Sequence, residues 1–196
     1  AALDAYLASS AVDNAALVPA DGEPPITGEG LEKLLLAYAA ARDTITRSAH
    51  RFDPMLLEAL VDFAPLDSEH LLRDGGADAL KALEARLNRG KLGSPRFSLE
   101  LLPAIEDRPA ALRLTRRHMG EQVQQVLPLT IFESGELRPL HDAAVLLHGL
   151  VREGAQVIRG NRSQAVTSFA EAQAWLMDEA KKGRQIQRFK GLGEMN

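Results

Sequence analysis

Apolar side chains recur at helical spacing soon after the start of the chain. Leu31, Leu34, Leu35, Tyr38, Ala41 and Ile45 share one face, while Glu32, Lys33 and Arg42 lie off it. This predicts an amphipathic helix running to about His50. Asp53-Pro54 supplies an N-cap and a proline for the first helical position, opening a second helix through Leu56, Leu57 and Leu60 that Pro65 ends. Asp67 to Leu72 makes another short helical turn, and Asp74-Gly75-Gly76 breaks the chain. Ala77 to Arg89 is the next helix, striped by Leu80, Leu83 and Leu87, with Gly90 beyond its end. Ahead of this run, Leu3 to Leu7 reads as the end of a short helix and Ala15 to Val18 as a brief strand stopped by Pro19. Asp21-Gly22-Glu23-Pro24-Pro25 is a turn-forming linker, placed as a boundary.

The period changes at Gly93-Ser94-Pro95. Phe97, Leu99 and Leu101 alternate with Ser98 and Glu100, and Leu112 and Leu114 alternate with Arg113 and Thr115. With a turn at Gly120-Glu121 and a third apolar stretch from Val123 to Leu127, an antiparallel meander is expected. A helix from about Leu140, a short strand from Gln156 to Arg159 and a capping box at Ser168-Phe169-Ala170-Glu171 follow. The box opens a helix bearing Ala172, Trp175, Leu176 and Met177, closed by Gly183. Residues 184–189 mix Ile186 and Phe189 with Gln and Arg as a half-exposed strand would. Gly191-Leu192-Gly193 then predicts a sharp turn, a positive φ or a close backbone approach. The fold class is α+β: helices, then a β meander, then further helices.

Composition changes this picture little. The 196 residues are 45% hydrophobic and 26% charged, as in ordinary globular domains. Without cysteine, disulfides, thiolate metal sites and cysteine nucleophiles are excluded. No long apolar run suggests a membrane span. With no initiator methionine, the sequence reads as a piece of something larger. The net charge of −4 hides an asymmetry. Residues 1–30 carry acids and no Lys or Arg, whereas residues 86–119 hold eight Arg or Lys against Glu100, Glu106 and Asp107. Such polarity suits a nucleic acid or an acidic partner surface.

Candidate chemistry is thin. His141 and His148 lack the third ligand that a zinc site needs. Gly90-Lys91-Leu92-Gly93-Ser94 has P-loop residue types in the wrong order, and no nucleophile elbow accompanies the serines. Two basic features remain. Arg113, Thr115 and Arg117 alternate onto one strand face, suited to a sugar-phosphate backbone and equally to a solvated outer face. Five Lys or Arg side chains fall between Lys181 and Lys190 with no acid among them. That stretch can hold a chain against phosphate or simply be a solvated end.

Gln187-Arg188-Phe189-Lys190-Gly191-Leu192-Gly193-Glu194-Met195-Asn196 resembles the [YF]-K-G-L-G-E-M-N signature near the end of the Toprim domain in type IIA topoisomerases, most closely the gyrase B subunits. Ser168 to Asn196, the Leu3-Asp4-Ala5 start and the Leu31-Glu32-Lys33-Leu34 helix are similar to that family as well. The resemblance implies that residues 26–165 are the large insert of Gram-negative gyrase B subunits. Residues 1–25 and 166–196 would be flanks of the interrupted Toprim domain.

In that family the parent enzyme supercoils DNA using ATP, and its Toprim domain holds magnesium through E-G-D-S-A-type and D-x-D motifs. Neither motif occurs here, so no catalytic or metal residue and no cofactor site is carried over; ATP and magnesium are implied only for the parent. The implied partners are DNA and the gyrase A subunit in an A2B2 assembly, with a cytoplasmic location and no membrane. The resemblance places the Lys190 to Asn196 stretch, with Lys190, Gly191, Leu192 and Gly193, near DNA and the A subunit, and Arg188, Arg113 and Arg117 are the further candidates for contact with DNA or a subunit. The competing reading is a stand-alone nucleic-acid-binding module. An insertion also predicts that the Ala15 to Val18 and Gln185 to Phe189 strands lie close together, a shared sheet being one way to achieve it.

Overall fold

The computed structural model describes residues 2–194, with side chains from Tyr6 onward. Its elements divide into two compact units, one built from residues up to Ala39 together with those from Leu146 onward, the other from Ala40 to Val145.

In the first unit, α1 (Ala2–Ala11) packs against α7 (Phe169–Gly193), and β1 (Ala15–Val18), β5 (Gln156–Arg159) and β6 (Arg162–Ala165) form an antiparallel sheet in the order β1-β5-β6. Ala15 pairs with Arg159 and Val18 with Gln156, so the sheet joins segments far apart in sequence. The linker after Pro19 returns to the strand, Leu17 and Ile26 exchanging main-chain hydrogen bonds of 2.9 and 2.8 Å. Leu17, Leu31, Leu35, Val157 and Leu176 are fully buried, and Tyr38 meets Phe169 edge to face at 5.5 Å. Gly154 is required here twice over. Its φ is +81°, and a Cβ would stand 2.9 Å from the Asp21 amide nitrogen.

The second unit begins with the end of α2 (Gly28–Ser48) and continues through α3 (Pro54–Leu60), α4 (Ser68–Leu72) and α5 (Gly76–Leu87). The meander follows as β2 (Arg96–Leu102), β3 (Ala111–His118) and β4 (Glu121–Pro128), then a 3-10 turn (Leu129–Glu133) and α6 (Arg138–Leu147). The cap expected at Asp53 forms, its carboxylate accepting from the Met55 amide at 2.9 Å, and Asp67 caps the next helix by accepting from the His70 amide at 2.6 Å. One face of the sheet buries Phe97, Leu112, Leu114 and Leu127. The edge of β2 is closed by side chains of and just beyond α5. Asn88 donates to the Phe97 carbonyl and accepts from the Phe97 amide at 2.8 and 2.9 Å, and Glu84 accepts from the Leu99 amide at 2.7 Å. These groups occupy the ladder positions another strand would use.

Three expectations are corrected, and one strand appears that none of them covered. The second helix ends at Leu60, ahead of Pro65. β6, with the exposed sequence Arg-Ser-Gln-Ala, carries no apolar alternation to announce it. The helix opened by Ser168 is not closed by Gly183; it runs on to Gly193, so residues 184–189 are helical and Gly191-Leu192-Gly193 is no turn. Ile186 and Phe189 lie three apart, a spacing that a helix presents on one face as readily as a short irregular strand. Ion pairs from Lys182 to Asp178 (2.7 Å) and Glu179 (3.2 Å) tie the turn preceding Gly183. Consequently β1 has β5 for a partner and does not share a sheet with residues 185–189.

Candidate nucleic-acid interface

Three antiparallel strands in register determine what the outer face of the β2-β3-β4 sheet presents. Side chains alternate across the pleat, and the buried set leaves Arg96, Ser98 and Glu100 of β2 outward. Their partners are Arg117, Thr115 and Arg113 of β3, which in turn pair with Gln122, Gln124 and Val126 of β4. Arg113 is held by Glu100 at 2.8 Å. Arg117 donates through Nε to Gln122 at 3.0 Å, and Arg96 donates through Nη1 to the Asn88 carbonyl at 2.8 Å. Thr115 faces outward between the arginines yet is only 5% exposed, and its hydroxyl accepts from Gln124 at 3.3 Å. The expected row of three thus offers two arginines.

The register adds one residue that strand-by-strand reading of the sequence missed. Arg96 and Arg117 are direct cross-strand neighbours. Like charges in that position repel each other, and Glu100, the one acid on these outward rows, is already bound to Arg113. Among the described residues neither guanidinium has a carboxylate partner, and each, bonded to one neutral acceptor, keeps further N–H donors with which it can take phosphate oxygens. The offset of the β2-β3 hairpin carried the signal, because it decides which arginines stand opposite one another.

The second group of expected residues lies on the last turns of α7 in the first unit. Arg188, Lys190, Gly191, Leu192 and Gly193 are all exposed. Neither Arg188 nor Lys190 makes an ion pair among the described residues. Ile186, Phe189 and Leu192 recur every third position and are 59%, 74% and 57% exposed, an uncovered apolar stripe bordered by cations. Gly191 and Gly193 have negative φ and nothing within 4 Å of an added Cβ, so nothing in the chain's own fold requires glycine at either place. Met195 and Asn196, the end of the recognised motif, lie outside the described residues.

Electrostatics earlier in α7 are locally satisfied. Arg162 donates to Glu179 at 2.9 Å and holds its carboxyl below the usual carboxylate range, while Asp178 and then Glu179 raise the Lys182 ammonium above its usual value. At the helix start, Ser168 accepts from the Glu171 amide at 3.2 Å. The Glu171 carboxylate accepts from the amide and hydroxyl of Thr167 rather than from Ser168, which lowers its pKa. The capping box therefore closes one residue earlier than its sequence form implies. Among the described residues, no group of three His, Asp or Glu side chains stands together as a metal site would require. Likewise no described helix is long and apolar enough to cross a membrane.

Comparison with known proteins accords with these features. The family model described as "DNA gyrase B subunit insert domain" matches residues 15–180. The DNA gyrase B subunit of Caulobacter vibrioides (strain NA1000 / CB15N) is 31% identical over 196 residues, covering 100% of this chain and 23% of that protein. Its counterpart from Rickettsia bellii (strain RML369-C) is 25% identical over 195 residues with the same coverage, and that from Rickettsia felis (strain ATCC VR-1525 / URRWXCal2) is 24% identical. The chain spans about a quarter of the length of these relatives.

Proposed function

The chain belongs to the DNA gyrase B subunit insert domain family, and from that membership we propose that it serves as a non-catalytic part of a gyrase B subunit, supporting DNA binding and coupling it to ATP hydrolysis. In this reading the parent subunit works in the cytoplasm with gyrase A as an A2B2 assembly and supercoils DNA. ATP and magnesium act at sites outside these residues. Residues 26–165 form the insert, and the flanking segments belong to the interrupted Toprim domain.

The observation that carries the DNA-binding part is the unneutralised Arg96–Arg117 cross-strand pair on the outward sheet face. Bridging two guanidinium groups with a backbone phosphate removes their repulsion and releases counterions from the DNA. Arg113, pinned to Glu100, borders that contact. The exposed end of α7, with Arg188, Lys190 and the two unconstrained glycines, supports a second contact, to the gyrase A subunit or to DNA near it.

The test uses the parent subunit assembled with gyrase A. Replacing Arg96 and Arg117 together by Ala is expected to weaken DNA binding and lower the salt slope of log K by roughly 2. Supercoiling and DNA-stimulated ATPase should fall with it, while ATP turnover without DNA is unchanged. An unaltered salt slope would sink the sheet as a DNA contact. For the coupling role, deleting residues 25–165 should remove DNA stimulation of the ATPase and spare the basal rate; full stimulation in the deleted enzyme would refute it.

A further inference from the structure

A cleft of about 780 Å³ opens in the first unit beside α7, reaching Asn14 ahead of β1 and Arg159 and Gly160 at the β5-β6 turn. Its charge is unbalanced. Arg162 and Lys182 on its wall share Glu179, which leaves Arg159 and Arg184 facing Asp13 as the remaining acid in the lining.

Each of those two arginines is fixed in place and each is incompletely bonded. Arg159 donates through Nη2 to the Ser10 carbonyl at 3.2 Å, whereas its Nη1 is buried and has no partner. Arg184 lies over the Tyr6 ring at 4.3 Å, and its Nη2 is likewise buried without a partner. Among the described residues these are the two buried side-chain nitrogens that go unbonded, and both residues line one cleft. A buried donor left unmade is costly, and native structures rarely keep one without a use.

We propose that this cleft is a binding site for a phosphate-class oxyanion, held jointly by Arg159 and Arg184. The two guanidinium groups come from different elements, β5 and α7. An anion satisfying both is served best by acceptor oxygens that do not share one plane, which a tetrahedral phosphoryl group offers and the two coplanar oxygens of a carboxylate do not. Packing on the Ser10 carbonyl and the Tyr6 ring holds the side chains before the ligand arrives, so little rotamer freedom is lost on binding. The site shares no residue with the outward face of the β2-β3-β4 sheet and stands whether or not that face contacts DNA. The phosphoryl group can come from a free phosphate compound or from a nucleic-acid backbone.

The test titrates the whole 196-residue chain with inorganic pyrophosphate by calorimetry and with a fluorescent duplex oligonucleotide by anisotropy, in buffer free of other phosphate. Arg159→Gln and Arg184→Gln should each weaken pyrophosphate binding by at least about tenfold. Arg138→Gln, in an exposed ion pair with Asp142 on α6, should leave it unchanged. Pyrophosphate should raise the melting temperature of the unaltered chain and not of the two variants. Arg159→Lys and Arg184→Lys keep the charge without the planar fork; they stand in for any glutamine variant that does not fold and should bind weakly. Duplex displaced by pyrophosphate, with the same loss in the variants, identifies the backbone phosphodiester as the ligand. Pyrophosphate bound without displacing duplex identifies a free phosphate compound. Binding of either probe that is indifferent to both arginines, or no binding at all, overturns the site.

Discussion

Met119 sits in the left-handed region, φ +50°, with Gly120 at +84°, at the tip of the β3-β4 hairpin. Two positive φ values suit a two-residue hairpin turn, but a methionine there is strained where asparagine or glycine is not. Met119→Asn should therefore stabilise the chain by about 0.5–1 kcal/mol in urea melts. A fall in stability would mean that the exposed methionine makes a contact that matters. The glycines of the terminal motif behave in the opposite sense. Gly191→Ala and Gly193→Ala should each strengthen α7, by up to about 1 kcal/mol, because no φ or neighbour demands glycine. In the parent enzyme the same changes should lower supercoiling if another surface approaches those positions closely, and normal supercoiling would remove them from the interface. Of the three reasons the sequence offered for these glycines, the helix removes the turn and the positive φ, and the close backbone approach finds no partner within this chain's described residues. Glu171 supplies a pH signature. With its folded pKa below the ordinary 4.5, its contribution is complete above that value and is lost as pH falls through the folded one. Melting temperatures measured from neutral pH downward should show Glu171→Gln losing part of the acid-dependent decline.

Among elements, β2 shows how the sheet is terminated. Asn88 imitates a neighbouring strand by bonding both the amide and the carbonyl of Phe97. Asn88→Ala leaves those groups unpaired on a half-buried edge, at a cost of about 1–3 kcal/mol. It also exposes a template for intermolecular pairing, so size-exclusion chromatography should show concentration-dependent association that the unaltered chain lacks. Elements with a strong single period were legible. The Leu31 face, the Asp53-Pro54 start, the Leu80-Leu83-Leu87 stripe and the meander are where alternation and capping put them. β6 was not, since an exposed hairpin strand of polar residues is specified by its partner β5 and not by its own pattern. The end of α7 was misread for a related reason. Two apolar residues three apart cannot separate helix from strand, and glycine was given more breaking power than ion pairs one turn earlier allow it.

On the scale of the whole molecule, family and fold class were readable because they rest on consecutive motif residues and on long periodic segments. The candidate interface was only half readable. Arg113 and Arg117 follow from alternation in one strand, whereas Arg96 becomes relevant only through the register of the hairpin. The second unit is continuous from Ala40 to Val145, and it carries its own buried set, including Leu56, Leu57, Leu71, Leu83, Leu112 and Leu129. Residues 28–148, which keep α2 and α6 whole, should therefore fold alone with a cooperative thermal transition. A non-cooperative melt would show that the unit needs its flanks.

The pairing of Ala15 with Arg159 has a consequence for the order of events during synthesis. β1 leaves the ribosome long before β5 exists, and for that interval it is a strand without a sheet. The contiguous unit can complete its own core in the meantime. A translational pause before Gln156 should thus accumulate nascent chains in which the inner segment resists protease and the first residues are still cut.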